Sequence, residues 1–348
     1  MSAKIVHVNT ARGYRGGERQ TELLIRGLAS HGVRQALVTR RGAPLATRLR
    51  DVDIDVREVR GGPLSVARVT RDASLLHVHE GRSVYAAFLR SLLSGTPYVI
   101  TRRVNNPIRE HWFAHKAYRR AACVAAVAPQ VAEIVRAYDA SIRVCVVHSG
   151  SSALPVDTAK SAAIRAPLAD KFVVGHVGAL DNGQKGQEFV IAVAREMARS
   201  HPDVHFMLVG GGEDEAMLRA SAAGLENLEF TGFVENVGDY LAAFDVFILP
   251  SNREGIGSIL FDAMERGLPV VASRVGGVPD IVHNHENGLL IDPASPAQLR
   301  DAILQLKANP DLREAYGRRG REFAKDFTGE AMWRKYLALY ESVLGRVA

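Results

Sequence analysis

Short apolar runs alternate with segments of helical periodicity along the whole chain. In the first half a helix is predicted over Glu18–Ser30, because Leu23, Leu24 and Leu28 recur at helical spacing before Gly32. Buried strands separated by helices predict a parallel sheet covered on both faces. The apolar runs that predict these strands are Lys4–Val8, Gln35–Thr39, Leu75–His79, Tyr98–Thr101, Cys123–Ala128 and Arg143–Val147.

The same alternation restarts after 149–168, a stretch rich in Ser, Ala and Pro without strong periodicity, which we interpret as a connection between domains. A helix is predicted over Gln187–Ser200 and a long helical region at the C-terminus. The sequence thus predicts an α/β protein with two doubly wound domains, 1–155 and 156–329, whose ligands bind in the cleft at the carboxyl ends of the strands. The predicted strands of the second domain are Phe172–Val177, His205–Val209, Leu228–Phe230, Val246–Pro250 and Val270–Ala272.

Composition fits this picture of two globular domains. The 348 residues are 47% hydrophobic and 24% charged, which excludes a disordered or low-complexity chain. The two cysteines, Cys123 and Cys145, cannot form a disulfide framework or a four-thiolate zinc site, so we expect a reducing compartment. The first residues do not resemble a signal peptide, and no apolar run is long enough to cross a membrane. We therefore expect a cytoplasmic protein, able at most to touch a membrane from one side.

Charge is distributed unevenly along the chain. Residues 1–150 contain 24 basic and 11 acidic side chains, whereas the remainder contains 20 basic and 27 acidic ones. The basic half predicts an anionic partner, which could be nucleic acid, a phospholipid surface or a phosphorylated substrate. Composition does not choose among these three.

Glycine-rich turns after predicted strands are the first candidate phosphate sites. Gly13–Glu18 follows the first strand and opens a helix, where backbone N–H groups can bind an anion. A turn without a ligand is the alternative. Neither this segment nor Gly210–Glu215 matches the G-x-G-x-x-G pattern of dinucleotide-binding folds, which argues against a dehydrogenase. Gly178–Gly186 carries Lys185 between glycines at a strand-to-helix turn, which suits a diphosphate, although a surface lysine in a loop is the alternative.

Two clusters of potential metal ligands need weighing. Asp51, Asp53 and Asp55 form D-x-D patterns, but they alternate with apolar residues as on the solvent face of a half-buried strand, and we favour that interpretation. His77 and His79 place two imidazoles on one face of a strand. The sequence near them offers no convincing third ligand, so we expect them to line the cleft rather than bind a metal.

The richest motif runs from Pro250 to Pro279. Glu254 and Gly255–Gly257 follow a predicted strand, and Asp262 lies eight residues after Glu254 in a helix expected to begin near Gly257. Carboxylates beside a helix N-terminus that holds a diphosphate can bind sugar hydroxyls. The alternative, a capped helix with an acidic first turn, explains Asp262 but not the glycines around Glu254.

This motif resembles the E-x7-E region of the family-4 retaining glycosyltransferases, which are two-domain enzymes of the GT-B fold. The resemblance extends over nearly the whole chain, through the Gly16-Gly17 loop, the V-G-x-L…K-G turn, the V-G-G-G-E strand end and the F-T-G-F-V loop of Phe230–Val234. It implies transfer of a sugar from a nucleotide diphosphate donor to a hydroxyl of a glycan or glycolipid, with retention and without a metal or other cofactor. Members that build bacterial lipopolysaccharide cores and other envelope glycans suggest the acceptor.

The resemblance also implies roles for individual residues. Glu254 would contact the donor sugar hydroxyls, Asp262 the ribose hydroxyls and Lys185 the diphosphate, on which the loop of Gly16 and Gly17 closes. A final helix, within 330–348, would pack back on the N-terminal domain. The further donor-binding positions that it implies are Gly212, Val234, Gly255, Ile256, Gly257, Ser258 and Ile259.

Three positions depart from the family pattern. Asp262 is one methylene shorter than the usual glutamate, and Ala179 stands where many members have an arginine. Many members also have a histidine where this chain reads Thr101-Arg102-Arg103, and Arg103 would take its place beside the phosphate.

Residues 105–122 combine basic and aromatic side chains on one predicted helix. Such a helix suits an anionic membrane surface, unless its aromatic residues face the core. The basic residues are Arg109, Lys116, Arg119 and Arg120, and the aromatic ones are Trp112, Phe113 and Tyr118.

Two other functions remain as alternatives. A nucleotide-sugar 2-epimerase of the same architecture would need no acceptor, but the complete E-G-x-G…D-A-M stretch argues against it. A nucleic-acid-binding protein would explain the basic half but not the carboxylate loop, so we expect no nucleic-acid partner. The donor base, the donor sugar and the linkage stay open.

Overall fold

The protein divides into two compact units. A computed structural model describes residues 3–345 and 347. Unit 1 comprises the chain up to Ser152 and again from Phe327 onwards, and unit 2 comprises Ala153–Asp326. The chain passes between the two units twice, and at both points the predicted domain boundary lies three residues after the one in the structure.

Unit 1 is built on a parallel sheet of seven strands, formed by the described residues before Ser152. The strands are β1 (Ile5–Asn9), β2 (Gln35–Arg40), β3 (Asp55–Val59), β4 (Leu75–Val78), β5 (Tyr98–Arg102), β6 (Cys123–Ala126) and β7 (Val144–Val146). The helices are α1 (Gly16–Ala29), α2 (Pro44–Arg48), α3 (Pro63–Val69), α4 (Val84–Ser94), α5 (Trp112–Arg120) and α6 (Pro129–Tyr138). The strand order β3-β2-β1-β4-β5-β6-β7 reverses between β1 and β4, as in a doubly wound fold.

Unit 2 repeats this arrangement with a six-stranded parallel sheet. Its strands are β8 (Phe172–Val177), β9 (Val204–Val209), β10 (Leu228–Gly232), β11 (Val246–Leu249), β12 (Val270–Ser273) and β13 (Gly288–Ile291), in the order β10-β9-β8-β11-β12-β13. Its helices are α7 (Thr158–Arg165), α8 (Asn182–Lys185), α9 (Gln187–Ser200), α10 (Glu215–Ser221), α11 (Val237–Ala243), α12 (Ile259–Glu265), α13 (Pro296–Ala308) and α14 (Pro310–Ala324). The predicted α/β class with two doubly wound sheets is confirmed.

The last helix, α15 (Gly329–Leu344), belongs to unit 1. Its residues Trp333 and Tyr340 are buried in one core cluster with Leu24 of α1. A Cβ on Gly27 would lie 2.1 Å from the Trp333 ring, so α1 needs glycine where the two helices meet. Helices α3 to α6 share a different core cluster, and the two clusters cover the two faces of the sheet. Residues 346 and 348 of the predicted C-terminal helix lie outside the described residues.

Two local predictions are wrong for physical reasons, and a third is refined. The helix over 105–122 is restricted to α5, because Pro107 lacks an amide hydrogen and His111 caps the helix by accepting from the Ala114 amide. The stretch 149–168 is not all connection, since Asp157 caps α7 through the amides of Ala159 and Lys160. The helix expected near Gly257 begins at Ile259, because Gly257 has a left-handed φ of +69°.

The predicted strand carrying three aspartates begins only at the last of them, Asp55. Over residues 51–56, exposed aspartates alternate with partly buried apolar side chains, as the sequence pattern indicates. Asp51 pairs with Arg26 at 2.8 Å, and Asp55 pairs with Lys4 at 3.1 Å. These carboxylates are thus engaged by neighbouring cations of unit 1.

Candidate active site

In unit 2, the backbone segments that follow β8 and β9 are in close contact. A Cβ on Gly210, at φ +137°, would lie 2.0 Å from the Gly178 carbonyl oxygen, and one on Gly212 would lie 2.2 Å from that of Leu180. The Leu180 amide donates to the Gly211 carbonyl at 3.1 Å. Glycines are therefore required at 210 and 212, because two backbones meet there without room for side chains.

A second contact joins the turn of Lys185 to the loop that follows β11. The amide of Asn252 donates to the Gln184 carbonyl at 2.8 Å. A Cβ on Gly186 would lie 2.4 Å from the Pro250 carbonyl oxygen, and its φ of +67° favours glycine. This packing holds Lys185 and Glu254 side by side, although they are far apart in sequence.

Lys185 and Glu254 form an ion pair. The Lys185 Nζ donates to Glu254 Oε1 at 2.5 Å, and the Ser251 hydroxyl donates to the same oxygen at 2.8 Å. The lysine side chain is 17% exposed and the glutamate side chain 6%. Two nearly buried charges are thus held together at the sheet edge, an arrangement that burial alone would disfavour.

Buried His176 lies behind this pair, near the end of β8. Its Nδ1 is 3.1 Å from the Ile248 carbonyl, so this nitrogen carries the hydrogen and donates. The pKa of His176 is lowered to about 4, mainly by burial and also by the Lys185 charge, against the opposing effects of the Ile248 hydrogen bond and the Glu254 charge. The imidazole is therefore neutral at physiological pH and adds no positive charge beside Lys185.

The predicted donor-binding residues of unit 2 gather at one edge of its sheet. Gly212 follows β9, Val234 follows β10 and Glu254 follows β11. The carboxyl ends of parallel strands share one edge, where open α/β sheets bind ligands. The remaining predicted residues, in the Glu254 loop and α12, are the buried Gly255, Ile256, Gly257 and Asp262 and the partly buried Ser258 and Ile259.

In unit 1, the structure brings the predicted Gly16, Gly17 and Arg103 together. The two glycines are the first residues of the 14-residue helix α1, and a Cβ on Gly17 would lie 3.7 Å from the Arg103 Cδ. The Arg103 Nη1 donates to the His79 carbonyl at 3.1 Å. Burial lowers the pKa of Arg103, but a guanidinium stays charged in proteins. The Glu18 carboxylate caps this helix by accepting from the Arg15 amide at 3.0 Å. Backbone amides at the start of a helix, beside an arginine, suit an anionic group.

Three buried histidines lie behind Arg103, of which the sequence suggested only two. His7 of β1 pairs in register with His77 of β4, and its Nδ1 is 3.0 Å from His79 Nε2. The Nε2 of His7 donates to the Gln35 side chain at 2.9 Å. The signal that could have revealed His7 is the doubly wound strand order, which places β1 beside β4. Because His77 and His79 are both buried, the predicted role of this pair in lining a cleft is wrong.

Five of the six ring nitrogens of this triad make internal hydrogen bonds, and the sixth, His79 Nδ1, is buried without a partner. Both nitrogens of His77 are engaged, with the Thr101 hydroxyl and the Tyr340 hydroxyl, each at 2.6 Å. Burial holds the pKa of His77 and His79 well below the usual range, and the Arg103 charge lowers both further. Three imidazoles whose ligand atoms lie within 4.8 Å of one another can bind zinc in other settings. Here a cation would displace existing hydrogen bonds and lie near a guanidinium.

Some of the basic residues of helix α5 make contacts within unit 1. Arg119 lies 3.5 Å from Asp139, and Arg120 donates to the Ser91 hydroxyl at 2.9 Å. Tyr118 faces the core, whereas Trp112 is 70% exposed. In the part of the chain that the structure describes, no helix combines the length and apolarity that a membrane crossing requires.

Two family profiles match this chain. A profile described as "Glycosyl transferase 4-like domain" matches residues 15–150, and one described as "Glycosyl transferases group 1" matches residues 171–309. The lipopolysaccharide core biosynthesis glycosyltransferase LpsE of Rhizobium meliloti is 29% identical, over 94% of this chain and 96% of that protein. The alpha-maltose-1-phosphate synthase of Mycolicibacterium smegmatis is 28% identical, over 80% and 82%.

Solved structures agree on the fold. Anabaena HepE in complex with UDP-glucose has a TM-score of 0.87 at 20% identity, covering 97% of this chain and 99% of that one. The lipopolysaccharide outer core galactosyltransferase WaaB has a TM-score of 0.73 at 15% identity, covering 98% and 100%. With profile matches in both halves and this fold over almost its full length, the chain belongs to the family-4 glycosyltransferases of the GT-B fold and is itself a glycosyltransferase.

Proposed function

We propose that the protein is a retaining glycosyltransferase that moves a sugar from a nucleotide diphosphate donor to a hydroxyl of a glycolipid acceptor. The observation that carries this proposal is the Lys185–Glu254 pair, held nearly buried where the carboxyl ends of the unit 2 strands meet. A cation that binds phosphate and a carboxylate that binds sugar are thereby presented next to each other.

Each residue has a defined task in the proposed reaction. Lys185 binds the diphosphate, Glu254 the sugar hydroxyls and Asp262 the ribose hydroxyls. Arg103 and the amides of Gly16 and Gly17 bind phosphate oxygens. The loop residues Gly212, Val234, Gly255, Ile256, Gly257, Ser258 and Ile259 supply the remaining donor contacts.

In the transfer step, the bond between the anomeric carbon and the phosphate oxygen breaks. The acceptor oxygen bonds to the same carbon on the same face, and the acceptor proton passes to the leaving phosphate. Negative charge grows on the diphosphate while positive charge grows on the sugar. Lys185 and Glu254 are placed to stabilise these two charges, and electrostatic stabilisation of this kind is a major catalytic effect. We propose that no metal takes part.

For the acceptor we propose a lipopolysaccharide core intermediate at the cytoplasmic face of the membrane. The likeness to LpsE over nearly the full length of both proteins supports this choice. The protein would then be cytoplasmic and attached peripherally to an anionic membrane surface.

The decisive experiment incubates the purified protein with UDP-, GDP- and ADP-sugars and measures release of the nucleotide diphosphate. NMR of the product with a truncated core glycolipid then reports the anomeric configuration. We expect slow donor hydrolysis alone and rapid transfer with retention when acceptor is added. Inversion would contradict the mechanism, and release of an epimerised sugar without acceptor would identify a 2-epimerase instead.

A further inference from the structure

The carboxyl edge of the unit 1 sheet is rich in arginine. Four adjacent strands, in the spatial order β3-β2-β1-β4, lead into turns that together contain six arginines and one carboxylate. In that order, the turns are residues 60–62, 40–43, 10–15 and 80–83. At the amino edge of the same sheet, by contrast, Lys4 is paired with Asp55 at 3.1 Å and with Asp72 at 2.7 Å. The arginines thus lie at the edge where open α/β sheets bind ligands.

Contacts between neighbouring turns place these arginines along one surface. The Arg41 amide donates to the Val59 carbonyl at 2.9 Å, which joins the ends of β2 and β3. The Thr10 hydroxyl donates to Glu80 Oε1 at 2.6 Å, which joins the turns after β1 and β4. Neighbouring strands lie about 4.8 Å apart, so the four turns extend over roughly 14 Å.

Carboxylates do not neutralise this surface. Among the residues that the structure describes, no carboxylate oxygen lies within ion-pairing distance of the guanidinium groups of five of these arginines. The one carboxylate in the turns, Glu80, accepts from the Thr10 hydroxyl and, at 2.9 Å, from the Arg82 amide. The five arginines, of which Arg40 is half-buried and the others exposed, are Arg12, Arg40, Arg41, Arg60 and Arg82. We call them the arginine edge.

Glycines leave the backbone beside the arginine edge uncovered. A Cβ on Gly42, Gly62 or Gly81 would meet no heavy atom of the described chain within 4 Å. Guanidinium groups are planar forks that bind phosphate and carboxylate groups through two parallel hydrogen bonds. Open backbone between such groups gives an anionic ligand room to lie along the edge.

The turns are poor in aromatic residues, which bears on the class of ligand. Tyr14 is the only aromatic residue in them. Its hydroxyl donates to Glu22 at 2.5 Å, and the Arg48 guanidinium lies over its ring at 4.3 Å. Proteins that bind single-stranded nucleic acid stack its bases on available aromatic rings. Of the anionic partners that the charge distribution allows, an anionic substrate therefore fits this edge better than a nucleic acid.

We propose that the arginine edge binds the acceptor, and that this acceptor is a glycan carrying phosphate or carboxylate groups at several positions. A single phosphate group is too small to contact arginines spread over roughly 14 Å, whereas an oligosaccharide with several anionic groups can contact them together. The inference rests on the proposed function, since it names the class of glycan to which that reaction would transfer the sugar.

Calorimetric titration without a donor tests the preference for anionic glycans. Tetragalacturonate has a carboxylate on each sugar, and maltotetraose is a neutral chain of the same length. A deacylated lipopolysaccharide core, before and after hydrofluoric acid has removed its phosphate esters, distinguishes phosphate from carboxylate recognition. In at least one of these pairs we expect the more anionic glycan to bind roughly tenfold more tightly, with an affinity that falls as salt is added. Equal affinity within both pairs would overturn the proposal.

Substitutions that remove charge show where the glycan binds. The edge variant combines Arg41→Gln, Arg60→Gln and Arg82→Gln, and it should bind the preferred glycan roughly tenfold more weakly or worse. The matched control removes three exposed arginines that precede strands at the amino edge and should bind like the parent protein. It combines Arg34→Gln, Arg71→Gln and Arg143→Gln. Thermal unfolding checks the fold, and the single substitutions, each with a smaller expected loss, replace a triple variant that does not fold.

The outcomes separate this inference from the proposed function. Unchanged affinity in the edge variant, or an equal loss in the control, would refute the arginine edge as the acceptor site. A thymidine decanucleotide or phosphatidylglycerol vesicles that bind more tightly than any of the glycans, and through the same three arginines, would assign the edge to nucleic acid or lipid instead. None of these readouts needs the transfer reaction. Failure of the parent protein to hydrolyse any nucleotide sugar, with the glycan preference intact, would count against the proposed function alone.

Discussion

The pairing of Lys185 with Glu254 predicts that two substitutions affect nucleotide binding differently. In the structure Glu254 holds the Lys185 ammonium at 2.5 Å, so a bound diphosphate competes with this carboxylate for the lysine. Glu254→Gln keeps the size of the side chain but removes its charge, and so frees the lysine. Lys185→Ala removes the cation itself.

The expected magnitudes follow from the interactions lost. A hydrogen bond to a charged group contributes about 1.5–3 kcal/mol, so Lys185→Ala should weaken UDP binding roughly 10- to 150-fold. Glu254→Gln should leave UDP affinity unchanged or slightly higher, while turnover falls roughly 10²–10³-fold, the scale for removing one preorganised electrostatic contact. Ser251→Ala removes only the second hydrogen bond to Oε1, and turnover should fall about tenfold at most.

Isothermal titration with UDP, together with turnover of the donor found in the screen, measures both quantities for all three variants. Thermal unfolding identifies any variant that has lost its fold. The assignment is refuted if Glu254→Gln turns over normally. It is equally refuted if that variant loses UDP affinity as severely as Lys185→Ala, because Glu254 would then bind the nucleotide rather than the sugar.

Other expected outcomes concern stability, metals and pH. Gly210→Ala should lower the midpoint of thermal unfolding much more than Gly224→Ala, since both have positive φ but only the first Cβ meets a backbone oxygen, at 2.0 Å. Donor hydrolysis should persist in excess EDTA, and loss that Mn²⁺ restores would contradict the metal-free reaction. Burial lowers the pKa of His7 to about 4 in the folded protein, whereas the pKa of this histidine is 6.5 when unfolded. Between pH 4 and pH 6.5 the unfolded chain therefore binds a proton at His7 that the folded protein does not bind. Stability should thus fall by up to about 3 kcal/mol per such histidine as pH drops from 6.5 to 4, and urea titrations of His7→Gln should show a smaller fall.

Strand–helix alternation in the sequence was sufficient to predict the two parallel sheets, because buried strands read as continuous apolar runs. The sequence pattern did not reveal strand β13, and it placed strand β3 too early. β3 is an edge strand whose residues Asp55 and Glu58 are exposed, so its pattern lacks a continuous apolar run. β13 is only four residues long and begins with Gly288.

The Lys185–Glu254 site also depends on contacts between segments that are distant in sequence. Local motifs pointed to Lys185 and Glu254 separately, because each follows a strand in a glycine-containing turn. Their ion pair depends on the contact between Gly186 and Pro250, which no local pattern reveals. The third histidine, His7, likewise needs the pairing of β1 with β4.

The return of α15 to unit 1 has a consequence for how the protein is made. The ribosome finishes the first strands and helices of unit 1 long before it reaches Trp333 and Tyr340, which complete their core. At 5–20 residues per second, synthesis of the intervening unit 2 takes roughly ten to thirty seconds. Throughout this time the apolar surface around Ile5 and Leu24 stays open on the nascent chain. Newly synthesised chains therefore expose an apolar surface that chaperones can bind and that the folded protein buries. A stop codon before Met332 would leave this surface exposed permanently.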